Sequence, residues 1–395
     1  MTVNIPAFVK VIIDRIEGSG YEAFAVGGSL RDAMLGKTPH DWDVTTSARP
    51  ETVIELFPDM RVIPTGLKHG TVTVLSEGEP IEITTYRVDG EYTDSRRPDS
   101  VSFTASVEDD LSRRDFTVNA MAYSEKRGLI DLFGGRDDLK KGIIRAVGDP
   151  EKRFTEDALR IMRAFRFSAQ LGFDIEENTL EAAKKLGYRL KNIARERIGA
   201  EFMRLLASPY PEKALRMMGS VLKEILPCAP VPQDRFALAE RLSPDSEARL
   251  ALLLYGQTRE DILNVAHALR LSNEQKRRVL LLSLPATEDF SDITPCVVRR
   301  LLRHYGEDFL SAARIGGLLG IAPVSLETIL EAEAAKKPCL SVSALAISGS
   351  DLMAEGIAFG KDVGRILSAL LEAVLDDPSL NEKEKLIDIA KKLVH

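Results

Sequence analysis

Hydrophobic and polar positions along the 395-residue chain fall into two textures. Up to residue 145 short apolar runs recur, several alternating with polar residues at a period of two, the mark of a half-buried strand. The alternation predicts strands at Ala23–Val26, Asp43–Thr46, Arg61–Ile63, Thr71–Leu75 and Ile81–Arg87, the last with Glu82 and Thr84 on one face and Ile81 and Ile83 on the other. From Pro150 onward the spacing is helical nearly to the end, broken at Pro209–Pro211, Pro227–Pro232, Asn273, Pro285, Pro295 and Pro323. There is no internal repeat and no low-complexity tract. The pattern predicts an α+β protein, a mixed sheet with helices followed by an all-α remainder.

Candidate chemistry sits in the strand-bearing part. Asp41 and Asp43 flank Trp42, so on a strand both carboxylates project to one side while the indole turns into apolar packing. Paired carboxylates repel unless a cation lies between them, and oxygen-only ligands suit Mg²⁺, which completes its shell with water and substrate phosphates. Upstream, Tyr21–Val26 runs into Gly27-Gly28-Ser29, after which Leu30–Leu35 is predicted helical. Such a corner lets backbone approach a phosphate closely, with Arg31 in the first turn. Glu82 is the candidate third acid. Acids from neighbouring strands hold two metals about 4 Å apart in in-line phosphoryl displacement.

Five stretches carry a family resemblance. Gly27-Gly28-Ser29-Leu30-Arg31-Asp32 with Leu35-Gly36 and Asp41-Trp42-Asp43-Val44-Thr45 resembles the first motif of the class II nucleotidyltransferases, which include tRNA CCA-adding enzymes and bacterial poly(A) polymerases. Arg113–Ala120 (RRDFTVNA), Asp131–Gly135 (DLFGG), Glu156–Phe167 (EDALRIMRAFRF) and Arg195–Ile198 with Glu201-Phe202 resemble the next four, in order. Leu30 and Leu132 depart from the commoner Val and Pro, at positions without chemistry. The resemblance implies a catalytic head at 1–145, a base-reading neck at 146–206, a helical body at 207–285 and a tRNA-binding tail at 286–395. It implies nucleotide contacts at Gly28, Arg31, Arg114, Asp157, Arg160, Arg163 and Arg166, with catalysis at Asp41, Asp43 and Glu82 and metal on Asp41 and Asp43. The partners implied are tRNA, CTP and ATP.

The fourth motif has its own logic. Ala158, Leu159, Met162 and Phe165 form an apolar helix stripe, while Asp157, Arg160, Arg163 and Arg166 repeat every third residue. Cytosine and adenine both place an exocyclic amino donor beside an unprotonated ring nitrogen. A carboxylate and a guanidinium side by side match both, whereas guanine and uracil reverse the order and leave buried groups unpaired at about 1–3 kcal/mol each. An Asp157/Arg160 pair thus serves as a protein template. The polar stretch 88–100 is predicted to be a surface loop, and the resemblance implies that it helps switch the pocket from C to A.

The remaining features refine this picture. A net charge of −7 and a pI near 5.5 speak against blanket nucleic-acid binding, leaving local clusters to meet RNA: Lys184-Lys185, Arg195 with Arg197, Lys276–Arg278, and Arg299-Arg300 with Arg303-His304. Three cysteines without metal spacing fit a reducing compartment, and no apolar run of about eighteen residues or signal pattern occurs, which predicts a cytoplasmic protein. Isolated His267, His304 and His395 argue against an added phosphohydrolase domain. Against the leading reading, an untemplated CCA adder, stand a poly(A) polymerase, a specialised A adder and a non-catalytic RNA-binding protein. Thr65–Thr71 lacks the Arg-rich stretch of the poly(A) enzymes, and the intact acids oppose the non-catalytic reading.

Overall fold

A computed structural model describes residues 3–39, 41–89, 101–228, 230–283, 293–323 and 325–394. Most of the 88–100 loop therefore lies outside the described residues. The chain forms two compact units, one reaching Pro227 and including His267–Arg270, the other comprising Cys228–Ala266 and Leu271 onward. The border falls inside the stretch expected to form the body.

The first unit is built on a seven-stranded sheet. Its strands are β1 (Ala23–Val26), β2 (Trp42–Thr46), β3 (Arg61–Gly66), β4 (Thr71–Ser76), β5 (Glu79–Thr85), β8 (Met121–Ser124) and β9 (Gly128–Asp131), in the order β3-β4-β5-β2-β1-β8-β9. A ribbon of β6 (Arg87–Asp89) and β7 (Val101–Phe103) stands apart from it. The run predicted as Ile81–Arg87 is thus two strands broken at Tyr86, whose N–H bonds the carbonyl of Thr46. All neighbours in the main sheet are antiparallel except β2 and β5. That pair is parallel because the β3–β4 hairpin intervenes before β5 returns alongside β2.

Helices α1 (Ala7–Gly18), α2 (Gly27–Met34), α3 (Pro50–Leu56), α4 (Val107–Ser112) and α5 (Gly135–Lys141) accompany the sheet. The glycine pair does not precede α2, as the sequence predicts, but forms its first turn. After α6 (Pro150–Glu156) comes α7 (Leu159–Leu171), then α8 (Glu177–Leu186), α9 (Arg195–Leu206), α10 (Pro211–Met218) and α11 (Val221–Ile225), with a two-residue parallel bridge between β10 (Ile143–Ile144) and β11 (Asp174–Ile175). Helix α7 is more buried than a single stripe: Ile161, Ala164, Phe167 and Ala169 join Leu159, Met162 and Phe165 inside, because α9 and α10 both pack on it.

The second unit is helical, with α12 (Asp234–Arg241), α13 (Ser246–Leu254), α14 (Arg259–Ala268, whose last two residues belong to the first unit) and α15 (Asn273–Ser283), then α16 (Pro295–Tyr305), α17 (Phe309–Leu318) and α18 (Leu326–Ala334). It closes with α19 (Gly349–Ala354), α20 (Lys361–Asp376) and α21 (Lys383–Val394). One core gathers Val298, Leu302, Leu326 and Leu330, another Leu352, Ile366, Leu370, Val374 and Leu386. Among the described residues no helix is long and apolar enough to cross a membrane.

Candidate active site

The register of the sheet assembles the acids. In the parallel pair Asp43 lies directly beside Glu82, with Trp42 beside Ile81 and Val44 beside Ile83. Side chains alternate, so Asp43 and Glu82 share a face while Trp42, Val44, Ile81 and Ile83 are buried on the other. Asp41 stands exposed just before the strand. Burial first, then the charge of Glu82 and that of Asp41, push the Asp43 carboxyl up to about 6 against the opposing pull of Arg114. Among the described residues no three His, Cys, Asp or Glu close into a ready-made cage for a metal.

Antiparallel pairing sets Val26 opposite Asp43, so α2 starts over the acids. Gly27 has φ +74°, and a Cβ there would lie 3.2 Å from Oδ2 of Asp43 and 3.4 Å from Nη1 of Arg114. Only glycine fits this corner without strain. Gly28 lies under Arg31, whose Nη2 is 3.5 Å from where its Cβ would be. Arg31 is buried, donates to Asn119 Oδ1 at 2.8 Å, pairs with Asp32 at 2.8 Å and leans on the Phe167 ring. Gly135 of the third motif packs so tightly that a Cβ would meet the Thr117 carbonyl oxygen at 2.2 Å, which seats α5 beneath the second motif.

Asp157 lies before α7 rather than on it. Its Oδ1 accepts the Leu159 N–H at 3.0 Å and its Oδ2 faces Arg197 at 3.5 Å. Burial raises its pKa, with that N–H bond and the Arg197, Arg160 and Arg163 charges acting the other way. Arg160 donates to Glu156 at 2.9 Å and to the carbonyls of Arg113 at 2.9 Å and Arg153 at 3.4 Å. Three of its five N–H groups are therefore engaged, and the acid salt-bridged to it is Glu156 rather than Asp157.

Arg163 and Arg166 differ from the expected positive flank because each is neutralised by a buried acid. Arg163 pairs with Asp115 at 2.6 Å and Arg166 with Glu201 at 2.5 Å, and both stack on Phe167. Burial alone would raise the Asp115 pKa, but Arg163 and Asn119 outweigh it and hold it at about 2. Asp115, Asn119, Glu156, Glu201 and Phe167 thus support the site, although sequence reading did not select them. They lie inside the quoted motifs, and that position was the available signal.

Acids on adjacent strands, a glycine corner above them and a helix of acid-paired arginines define a nucleotidyltransferase. A poly A polymerase head domain model matches residues 23–145, a model for the RNA and SrmB-binding site of polymerase A matches 172–227, and one for tRNA nucleotidyltransferase domain 2 matches 241–390. The chain is 39% identical to the CCA-adding enzyme of Ligilactobacillus salivarius, covering 99% of this chain and 98% of that one. It is 38% identical to that of Leuconostoc mesenteroides, over 97% and 96%. It also matches the crystal structure of the Bacillus stearothermophilus CCA-adding enzyme in complex with CTP, with a TM-score of 0.81 and 33% identity over 99% and 98% of the two chains. This chain belongs to the family of CCA-adding enzymes.

Proposed function

We propose that the chain adds C, C and A to the 3′ end of tRNA from CTP and ATP without a nucleic-acid template, releasing pyrophosphate, in the cytoplasm. The observation that carries this reading is the parallel register of Asp43 beside Glu82 under the Gly27 corner. Mg²⁺ fits the site: the donors are all oxygen, and Asp43 is held near 6 by burial and a like charge, a penalty that a divalent cation removes. Asp41 and Asp43 would hold such ions, with Glu82 nearby, and the ions would supply a lowered pKa for the attacking 3′-hydroxyl and positive charge for the triphosphate.

The chain's own groups do the rest. The first turn of α2 at Gly27 and Gly28 offers N–H groups to phosphate, and Arg31 and Arg114 add positive charge without regard to base. Asp157 accepts from the amino group of C or A, and the uncommitted N–H groups of Arg160 donate to the ring nitrogen. Arg163 and Arg166, locked by Asp115 and Glu201, wall the pocket with Phe167. The head at 1–145 carries phosphate chemistry and the neck at 146–206 reads the base. The body at 207–285 is a helical support and the tail at 286–395 holds tRNA.

The test is incubation with tRNA lacking all three terminal nucleotides, given CTP, ATP or both. Two C residues with CTP alone and a complete end with both are expected. A tract of A independent of CTP would indicate a poly(A) polymerase, and addition only to tRNA already ending in CC would indicate an A adder.

A further inference from the structure

One buried carboxylate has no part in the reading above. Asp110 lies in the first turn of α4, where Glu108 and Asp109 face solvent, yet Asp110 is completely buried. An acidic first turn favours the helix dipole, but that does not explain burial, which is costly for a carboxylate unless fully paired. Its Oδ1 accepts from Arg113 Nε at 3.0 Å and Nη2 at 2.7 Å. Its Oδ2 accepts from Arg114 Nη2 at 3.1 Å and from Thr45 Oγ1 at 3.2 Å. Thr45 follows Asp43 by two residues on β2 and shares its face.

The other end of the Arg114 fork reaches the acids. Arg114 Nη1 and Asp43 Oδ2 both border the space where Gly27 lacks a Cβ, at 3.4 and 3.2 Å. Among the described residues Arg114 Nε is buried without a hydrogen-bond partner, so Asp110 holds this guanidinium through Nη2 alone. The neighbouring Arg113 offers its carbonyl to Arg160 at 2.9 Å.

We propose that Asp110 is a positioning residue for nucleotidyl transfer: it ties Arg114 to the strand that carries Asp43 and so presents that guanidinium to the triphosphate. The proposal rests on the reading of Arg114 as a phosphate ligand. A charge-assisted bond of this kind corresponds to a change of about tenfold to a hundredfold in an equilibrium.

In the full-length protein, Asp110→Asn is expected to raise KM for CTP and for ATP by about tenfold to a hundredfold, with kcat much less affected and the preference for C and A over U and G kept. Combined with Arg114→Ala, it is expected to add little to the effect of Arg114→Ala alone. If Asp110→Asn contributes its full factor on top of Arg114→Ala, or lowers kcat with KM unmoved, the residue does not act through Arg114 and the proposal is overturned. An Arg114→Ala protein with unchanged KM would instead remove the phosphate-ligand reading itself, and the proposal with it. Should Asp110→Asn show no cooperative melt, Thr45→Val replaces it: losing the hydroxyl that anchors the Asp110 carboxylate to β2 should raise KM for both nucleotides about threefold to tenfold, and an unchanged KM overturns the proposal.

Discussion

Arg299 in the second unit and Arg160 in the first are both buried, and both are held by a carboxylate and by backbone carbonyls. Arg299 commits every arm of its fork, with Nε on the Leu375 carbonyl at 2.6 Å, Nη1 on Glu333 at 3.0 Å and Nη2 on the Asp376 carbonyl at 2.9 Å. Arg278 is closed in the same way by Asp245, Glu247 and Asp308. Around the candidate active site Arg114 and Arg160 are fixed at one edge only: among the described residues Arg114 Nε has no partner, and Arg160 engages three of its five donors. Arg299, with every arm spent, is a clamp between helices, whereas Arg160 keeps donors back. The comparison also corrects the expectation for the basic clusters. Arg278 and Arg299 are structural, and Arg300 and Arg303 pair with Asp376 and Glu372, so these parts of the clusters are not free charge awaiting an RNA backbone.

The sharpest separation of the two regions comes from the acids. Asp43→Asn or Asp41→Asn should lower kcat by about a hundredfold to a thousandfold; turnover above a tenth of the parent rate in either would end the metal-site reading. Stability should move the opposite way for Asp43. Its folded pKa of about 6 exceeds the ordinary carboxylate value of 3.8, so its contribution to stability is present below the unfolded pKa and is lost as pH rises through 6. In the presence of a chelator the Asn protein should therefore be more stable than the parent at pH 8 by about 2 kcal/mol, with the difference gone near pH 4. Urea titrations at the two pH values read this directly.

Next come Asp157→Ala and Arg160→Ala, each expected to cost tenfold to about a hundredfold in kcat/KM for CTP and ATP. Misuse of UTP and GTP should rise relative to both, measured by single-nucleotide incorporation. A rate loss with discrimination unchanged would mean that these side chains only hold the neck together.

In the second unit Arg299→Ala should do the reverse, destabilising by about 1–3 kcal/mol through the Leu375 and Asp376 carbonyls left without this donor, Glu333 keeping its pair with Lys336, while leaving kcat of the folded fraction intact. A fall in kcat without loss of stability would erase the distinction between clamp and ligand site. The smallest change belongs to Arg303→Ala. Its pair with Glu372 is exposed at 38% and 49%, and denaturation should show less than about 1 kcal/mol.

Much of this was legible beforehand. β4 and β5 alternate cleanly because one face is core and the other carries polar groups, and that alternation alone puts Glu82 on the polar face. β8 escaped because all four of its residues are buried, leaving no alternation to read. Asp157 was read as a helical residue from its spacing, but its side chain bonds the Leu159 N–H and the helix begins after it. The partners of the arginines were the least visible part. Asp115 lies 48 positions from Arg163 and Glu201 lies 35 from Arg166, and no local period encodes contacts of that range.

The parallel pairing of β2 with β5 behaves as a ruler. Because side chains change faces at every step, sliding β5 by one residue would present Ile81 or Ile83 to the phosphates and bury Glu82 among Trp42 and Val44. Backbone hydrogen bonds and two rows of apolar side chains oppose that slip, so the spacing between the acids is set without any contact of their own. The hairpin of β3 and β4 lies between them in sequence and outside them in space. Insertions or deletions in the β3–β4 turn, between Gly66 and Thr71, or in the connections around α3 can accumulate without altering the distance on which phosphoryl transfer depends. Length is free where the chain travels, and fixed only where it returns.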